Sequence, residues 1–309
     1  MTTVTRAPKL GPLLTAMLTP FAADGSVDLA GAKRLARFLV DEGNTGLVVS
    51  GTTGESPALD DDEKLALFAA VKDAVGERAA VVAGTGGNNT RHSAHFTERA
   101  AALGVDAILA VVPYYNKPTQ DGMLLHFGAI AEATALPIVV YNIPGRTGAN
   151  MLPATLLELA RRYENVAGVK ESSGDFAQFS AILRERPDGF GFWVGDDHLL
   201  LPSLALGGNG LISVAAHLCA REYREMHAAF ERGENMRAAE LHLRLAPLVA
   251  TLFATTSPIP VKWALGELGF DLGACRSPLG AMPPELAAGL RPLLEPFRAR
   301  TRATLAAAR

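Results

Sequence analysis

Cysteine is almost absent from the sequence, and the two that occur form no recognisable site. Cys219 and Cys275 lie far apart and without the spacing of metal ligands. We therefore expect packed or free thiols in a reducing compartment rather than a disulfide. The seven histidines include no HExxH pair, and His92 and His95, which would share a helix face, lack a companion ligand. No metal site is predicted.

Long hydrophobic runs and an excess of positive charge are also missing. No apolar run is long enough to span a bilayer, and residues 1–10 contain no apolar segment of a secretory signal. The net charge of -3 gives no electrostatic footprint for nucleic acid. The 309 residues, 49% hydrophobic and 20% charged, suit a soluble globular protein. We expect a cytoplasmic protein that binds neither membranes nor nucleic acid.

The sequence does contain a regular alternation of short apolar runs with stretches of helical period. Eight such runs within about 220 residues predict an α/β fold, a closed (β/α)8 TIM barrel with a parallel sheet and right-handed crossovers. The predicted strands are 13–18, 46–49, 79–83, 107–112, 137–141, 166–170, 190–194 and 210–214. The predicted helices between them are 27–42, 60–75, 90–103, 122–133, 153–163, 175–186 and 198–206.

An open, doubly wound sheet is the alternative architecture. Its usual mark is a GxGxxG turn after a strand, and the nearest segment, 84–89, has Asn89 in place of the last glycine. A flexible loop between a strand and a helix explains this segment better.

The pattern changes after Val214. Helices are predicted from 221 to about 255, over 260–268 and over 284–299, with no strand between them. This tail is too apolar to remain free in solvent. We therefore predict two domains, a catalytic barrel over 1–220 and a C-terminal helical extension over 221–309 that packs on the barrel.

One predicted strand, which starts at Val166, runs directly into a lysine and then into polar residues. Lys170 lies where this strand surfaces. An amine held there, half out of water, is disfavoured as an ammonium, and the neutral amine is a nucleophile. A lysine that reaches solvent, or pairs with Glu171, is the alternative. The other strand ends bear on this choice, because barrel enzymes carry their active sites there.

Two of those strand ends carry groups suited to anions. The turn 51–55, Gly-Thr-Thr-Gly-Glu, offers successive N–H groups and two hydroxyls that suit a carboxylate. An ordinary glycine turn before a helix is the alternative. Arg146 follows the fifth strand, where it could clamp a second carboxylate or form a surface ion pair.

Hydroxyl and carboxyl groups lie at the remaining strand ends. Tyr141 ends the fifth strand, where a phenol can transfer protons. Tyr114 and Tyr115 follow the fourth strand, where they could be capping or interface residues, and 195–197 and Ser213 lie at the ends of the last two strands. Together with the lysine, these groups predict a site that forms an imine with a small 2-oxo acid and adds it to an acidic aldehyde. No metal or organic cofactor is expected, because the protonated imine is itself the electron sink.

From about residue 11 to about residue 279, the chain resembles the pyruvate-dependent class I aldolases, the family that includes dihydrodipicolinate synthase and N-acetylneuraminate lyase. The resemblance depends on a series of motifs in the same order. They are GTTGE at 51–55, AGTG at 83–86, PYYNKP at 113–118, YNIPGRTG at 141–148, GVKESSGD at 168–175, GDD at 195–197, GNGLISV at 208–214 and SPIPVKWAL at 257–265. The last motif begins with Ser257, where the family has asparagine.

The resemblance implies a reaction. Arg146 favours the synthase branch, because sialic acid lyases lack an arginine there. The implied reaction condenses pyruvate with L-aspartate 4-semialdehyde to 4-hydroxy-tetrahydrodipicolinate, a step of lysine and diaminopimelate biosynthesis. A related aldolase acting on a sugar acid and a paralogue that binds an oxo acid without turnover remain as alternatives.

The resemblance also implies the catalytic groups. Lys170 corresponds to the imine-forming lysine, and Thr52, Tyr141 and Tyr115 correspond to the proton-relay triad. In the family the relay tyrosine comes from the neighbouring subunit. We therefore expect at least a dimer and, as in most of the family, a tetramer.

Four further residues match substrate-binding positions of the family. Thr53 and the N–H groups of its turn correspond to the holder of the pyruvate carboxylate. Arg146 corresponds to the clamp for the carboxylate of the aldehyde. Gly195 and Ile212 correspond to residues that line the pyruvate pocket.

Lysine-inhibited members of the family bind that amino acid in a pocket at the dimer interface. Asn88 and Tyr114 fit this pocket. Asp61 and Lys64 occupy its two histidine positions, and His92 replaces the glutamate that pairs with the ammonium of lysine. Because this replacement removes the charge pairing and Lys64 adds a like charge, weak or absent inhibition is predicted.

Overall fold

The structure, a computed structural model, describes residues 10–307 and contains a closed barrel of eight parallel strands. Each strand pairs with the next, and the eighth returns to the first. The predicted (β/α)8 TIM barrel is therefore confirmed, and the open sheet is excluded. The strands are β1 (Leu13–Ala16), β2 (Gly46–Val49), β3 (Ala80–Gly84), β4 (Ala107–Val111), β5 (Ile138–Asn142), β6 (Val166–Glu171), β7 (Gly191–Val194) and β8 (Gly210–Ser213).

Both faces of the strands are apolar because each strand lies between two hydrophobic layers. Inward side chains, among them Leu14, Val48 and Val139, fill the barrel, while their neighbours in sequence pack against the helices. Trp193 fills the amino end of the barrel and donates its indole N–H to the carbonyl of Gly11 at 3.0 Å. The carboxyl end is left for a cavity.

Twelve α-helices occur in the described residues 10–307, and many begin at a polar cap. The side chains of Asp28, Asp60, Asn89, Thr119 and Asp175 each accept an N–H of the first helical turn. The helices are α1 (Leu29–Asp41), α2 (Asp61–Val75), α3 (Thr90–Ala101), α4 (Gln120–Glu132), α5 (Pro144–Thr147), α6 (Pro153–Arg162), α7 (Phe176–Glu185), α8 (Leu200–Ala205), α9 (Ala216–Glu231), α10 (Asn235–Leu252), α11 (Ile259–Glu267) and α12 (Pro284–Ala307).

The helical stretch predicted from 221 to about 255 is two helices, α9 and α10. The break between them contains Gly233, whose φ of +78° favours glycine. Helix α9 begins at Ala216, contacts β1 and β8, and crosses the predicted domain boundary at 220/221. The division into domains 1–220 and 221–309 stays a prediction.

The structure bears on several expected absences. Both cysteines are free thiols, Cys219 buried and Cys275 partly buried. Over residues 10–307, no group of three or more His, Cys, Asp or Glu side chains is arranged to hold a metal ion. Within the same range, no helix is both long enough and apolar enough to cross a membrane. Residues 1–9, where no secretory signal was predicted, lie outside the described part of the chain.

Candidate active site

A cavity of about 650 Å³ opens at the carboxyl end of the barrel, beside the loops that follow β2 to β5. Its position agrees with the rule that barrel enzymes carry their sites at this end. Four predicted site residues line the cavity: Thr52, Tyr115, Tyr141 and Arg146. The other four do not line it: Lys170, Thr53, Gly195 and Ile212.

Lys170 points into the barrel from β6 and is 5% exposed. It is the cross-strand neighbour of Tyr141 on β5, and its Nζ lies 4.1 Å from the centre of that tyrosine ring. The predicted nucleophile and one predicted relay residue are therefore in contact. The alternative in which the lysine reaches solvent is wrong, because Lys170 is buried.

The alternative in which Lys170 pairs with Glu171 is also wrong. Successive strand residues point to opposite faces, so Glu171 lies on the outer side of the barrel. It is fully buried there and accepts hydrogen bonds from Asn142 at 3.1 Å, the N–H of Ser173 at 2.7 Å and Gln178 at 3.1 Å. Burial raises the pKa of Glu171, and these donors oppose the rise.

This outer network was not predicted, although the alternation along β6 could have placed Glu171 away from the barrel interior. Asn142 follows Tyr141 on β5, and Glu171 follows Lys170 on β6, so the two pairs are in register. Asn142 also accepts the N–H of Met151 at 3.0 Å. The network therefore ties together the two strand ends that carry the contacting lysine and tyrosine.

Gly195 directly follows β7, where the side chain of Lys170 passes. A Cβ on Gly195 would lie 2.8 Å from Cε of Lys170 and 2.0 Å from Oγ of Ser172. Any side chain there would displace the lysine, so glycine is required by close approach. Ile212 is fully buried on the inner face of β8 and belongs to the same interior cluster as Tyr141.

The turn after β2, which was predicted to hold a carboxylate, contains two threonines that differ in burial. Thr53 is 4% exposed, and Thr52 is partly buried. Over the described residues, no protein acceptor takes the N–H of either threonine. Gly54 allows close approach to β1, because a Cβ there would lie 3.0 Å from the carbonyl oxygen of Met17. Peptide N–H groups without protein acceptors suit a carboxylate.

Charged groups surround the mouth of the site. Arg146 lies on α5, a single helical turn that the sequence analysis did not predict, and its side chain is exposed at the cavity. Asp196, named at its strand end without a role, lies close to Lys170. Burial raises the pKa of Asp196, while the charges of Lys170, His198 and Arg146 lower it.

Asp197, the residue after Asp196, stabilises the fold near the site. Asp197 is buried and accepts hydrogen bonds from the hydroxyl of Ser213 and from the N–H groups of Val214 and Ala215, both at 3.1 Å. Burial raises the pKa of Asp197. This carboxyl group ties the end of β8 to the loop after β7, so Ser213 is a tether rather than a site residue.

Tyr115 lies apart from the other predicted relay residues. Its side chain is 89% exposed, and its backbone is left-handed, with φ +76°. Its N–H donates to the carbonyl of Thr147 at 3.3 Å, which fixes the loop at the cavity rim. Among the described residues, no hydrogen bond joins the hydroxyls of Thr52, Tyr141 and Tyr115.

Of the five residues compared with the lysine pocket, four line the same cavity, namely Lys64, Asn88, His92 and Tyr114, and the fifth, Asp61, contacts His92. His92 Nε2 lies 2.8 Å from Oδ2 of Asp61, so the carboxylate of Asp61 already has a hydrogen-bond partner. Lys64 is partly buried; burial lowers its pKa, and the nearby charge of Asp61 raises it. Asn88 donates to the carbonyl of Tyr114 at 3.4 Å.

Comparison with known proteins agrees with the fold and the motifs. The family model described as "Dihydrodipicolinate synthetase family" matches residues 9–295. A 4-hydroxy-tetrahydrodipicolinate synthase of Moorella thermoacetica is 55% identical over 269 residues, which cover 87% of this chain and 92% of that protein. A dihydrodipicolinate synthase structure from Bacillus anthracis has a TM-score of 0.90 at 43% identity, covering 93% of this chain and 98% of that one.

A solved structure from Cyanidioschyzon merolae, described with lysine bound, has a TM-score of 0.90 at 40% identity. It covers 96% of this chain and 98% of that one. Both the sequence relatives and the structural relatives span nearly the whole chain. The chain therefore belongs to the dihydrodipicolinate synthetase family.

Proposed function

We propose that this chain is a lyase that condenses pyruvate with L-aspartate 4-semialdehyde to 4-hydroxy-tetrahydrodipicolinate, in lysine and diaminopimelate biosynthesis. The observation that carries the proposal is the buried amine of Lys170, 4.1 Å from the ring of Tyr141 at the carboxyl end of the barrel. The name of the Moorella relative, 55% identical to this chain, supports the same reaction.

The chemistry follows from a buried amine beside hydroxyl groups. The neutral amine of Lys170 adds to the C2 carbonyl of pyruvate, and loss of water gives a protonated imine. This imine draws electrons from C3, which loses a proton and becomes an enamine carbon. The enamine carbon attacks the aldehyde carbon, and the new alkoxide takes a proton. The amino group of the acceptor then displaces the lysine from the imine and closes the ring.

Each of the other predicted site residues has a role in these reaction steps. Thr52, Tyr141 and Tyr115 carry protons to and from the carbinolamine and the alkoxide. Thr53 and the N–H groups of its turn hold the pyruvate carboxylate. Gly195 leaves the room that the imine needs, and Ile212 forms the apolar wall of the pyruvate pocket. No metal or organic cofactor takes part.

The exposure of Tyr115 supports a dimer or a larger assembly. A tyrosine that is 89% exposed at the rim of its own cavity can reach the cavity of a second copy. A relay residue supplied by a partner makes dimerisation a condition for full activity. We propose a dimer as the minimum unit and a tetramer as the complete assembly.

Replacing Arg146 with alanine tests the identity of the acceptor. The guanidinium lines the cavity and can clamp a carboxylate through two hydrogen bonds, each charge-assisted. Such a contact contributes roughly 1.5–3 kcal/mol, so kcat/KM for aspartate semialdehyde should fall about tenfold to a hundredfold. Borohydride trapping of pyruvate on the enzyme should remain at the wild-type level.

Arg146→Lys is the matched control, because it keeps the charge and loses the planar fork. It should recover part of the activity lost in Arg146→Ala. An equal fall in trapping and turnover would make Arg146 structural. Faster wild-type turnover of sugar-derived aldehydes than of aspartate semialdehyde, with pyruvate held constant, would favour the sugar-acid aldolase instead.

Weak inhibition by L-lysine is a further expected result. The Cyanidioschyzon relative is described with lysine bound, but in this chain the hydrogen-bonded pair of Asp61 and His92 stands in place of a free acidic partner. The ammonium of Lys64 adds repulsion. At about 1 mM lysine, initial rates with both substrates fixed should change little.

The exchange variant Asp61→His/His92→Glu provides the control for this prediction. It keeps an acidic residue and a histidine in contact but exchanges their positions, so that an acidic group stands where the family has one. Its inhibition by lysine should be stronger than that of the wild type. Half-maximal inhibition of the wild type well below about 1 mM would show that the existing pair already serves lysine.

A further inference from the structure

The turn that carries Thr52 and Thr53 is bounded by two residues in an unusual conformation. Ser50 has φ +53° and Glu55 has φ +56°, although neither is glycine. Each is 2% exposed. Left-handed backbone at such residues is unfavourable and persists only where the surroundings determine it. The shape of the turn therefore depends on contacts outside it.

The strongest of these contacts comes from the C-terminal extension. Nζ of Lys262, on α11, lies 2.8 Å from Oε1 of Glu55, and the two side chains are 3% and 0% exposed. The lysine also donates to the carbonyls of Thr19 at 3.0 Å and Ala274 at 3.1 Å. Oε2 of Glu55 accepts the N–H of Arg276 at 2.8 Å. All three ammonium protons are thus matched by acceptors, as a buried charge requires.

The backbone of the turn is also connected by hydrogen bonds to the pair of Glu55 and Lys262. The N–H of Glu55 donates to the carbonyl of Thr52 at 3.1 Å. The hydroxyl of Thr19, whose carbonyl accepts from Lys262, donates to the carbonyl of Gly54 at 2.7 Å. Thr52 and Gly54, whose carbonyls accept these bonds, are the two neighbours of Thr53. A shift of Glu55 would therefore move the hydroxyl and N–H groups of both threonines.

We infer that Glu55 and Lys262 are positioning residues for the turn that holds the carboxylate of the first substrate. Neither side chain lines the active-site cavity, so both act through the turn. The C-terminal extension then contributes to pyruvate binding, although it lies far from the cavity in sequence. The inference builds on the proposed function through the role given there to Thr53.

A purely structural pair would behave differently. Loss of such a pair would lower the unfolding temperature and leave the pyruvate concentration at half-saturation unchanged. Loss of a positioning pair weakens capture of pyruvate in enzyme that is still folded. A misplacement of about 1 Å can cost on the order of a hundredfold in a well-oriented site.

Glu55→Gln is the test variant, because it keeps the size of the side chain and removes the counter-charge of Lys262. We expect the pyruvate concentration at half-maximal borohydride trapping on Lys170 to rise roughly tenfold or more. KM for the aldehyde should stay near the wild-type value. The double variant Glu55→Gln/Lys262→Met leaves no buried charge unpaired, so it should fold. Its pyruvate concentration at half-maximal trapping should remain raised.

Arg300→Met is the matched control for lost stability. Arg300, on α12, lies 2.8 Å from Glu222 and does not contact the turn, so its loss should leave pyruvate half-saturation unchanged. Wild-type half-saturation in folded Glu55→Gln or in the double variant would overturn the inference. Trapping uses pyruvate alone, so a wild type that traps pyruvate but does not turn over aspartate semialdehyde would contradict only the proposed acceptor.

Discussion

Lys170→Ala is expected to abolish trapping of pyruvate by borohydride and to lower kcat by at least about a thousandfold, because the covalent route is lost. In the wild type, borohydride should reduce the imine and fix one pyruvate on each chain, at Lys170. Lys170 is 5% exposed, and its Nζ lies 4.1 Å from the ring centre of Tyr141, at the end of the barrel where we propose that pyruvate binds. Peptide mapping by mass spectrometry locates the adduct, and initial rates measure the loss.

Lys64→Ala is the control for accessibility. Lys64 also lines the cavity and is partly buried, but it lies on α2, with its Nζ 5.6 Å from the ring centre of Phe96. Its replacement should leave trapping intact. An adduct on Lys64, or turnover that survives in Lys170→Ala, would contradict an imine mechanism at Lys170.

The barrel could be predicted because its strands carry a strong local signal. Each strand is buried on both faces and is therefore an unbroken apolar run, as in β2, where prediction and structure agree over 46–49. Helix α5 was missed because four residues, Pro-Gly-Arg-Thr, are too few for a helical period. The break after α9 was missed because Gly233 lies inside an otherwise continuous helical pattern.

The candidate site could be predicted where position along a strand decides the direction of a side chain. Lys170 and Tyr141 are the next-to-last residues of β6 and β5, and they face inward together because the parallel register makes them neighbours. The ion pair of Glu55 and Lys262 could not be predicted in this way. Its members are 207 positions apart, and no local pattern shows which buried lysine meets which glutamate. Pairs formed by the tertiary fold need the structure itself.

Tyr115→Phe is expected to lower kcat by roughly a hundredfold to ten thousandfold, the range for loss of a proton-transfer group. Pyruvate trapping should persist, because Lys170 remains. If each tyrosine serves the site of a partner, two inactive variants can repair each other. In a hybrid dimer of Tyr115→Phe with Lys170→Ala, one site has both defects and the other has an intact lysine and an intact tyrosine.

Mixing the two variants therefore tests whether Tyr115 acts in trans. After dissociation and random reassembly in equal amounts, half of the dimers are hybrids and each has one complete site, so roughly a quarter of wild-type activity should return. Mixing Tyr141→Phe with Lys170→Ala is the matched control: both residues belong to one chain and lie 4.1 Å apart, ring centre to Nζ. A hybrid that places its two defects on different chains then has no complete site, and activity should stay low. Recovery in that control would contradict the assignment of Tyr141 and Lys170 to one site. Absence of recovery with Tyr115→Phe would show that Tyr115 serves its own chain, and the 89% exposure of its side chain would then need a different explanation.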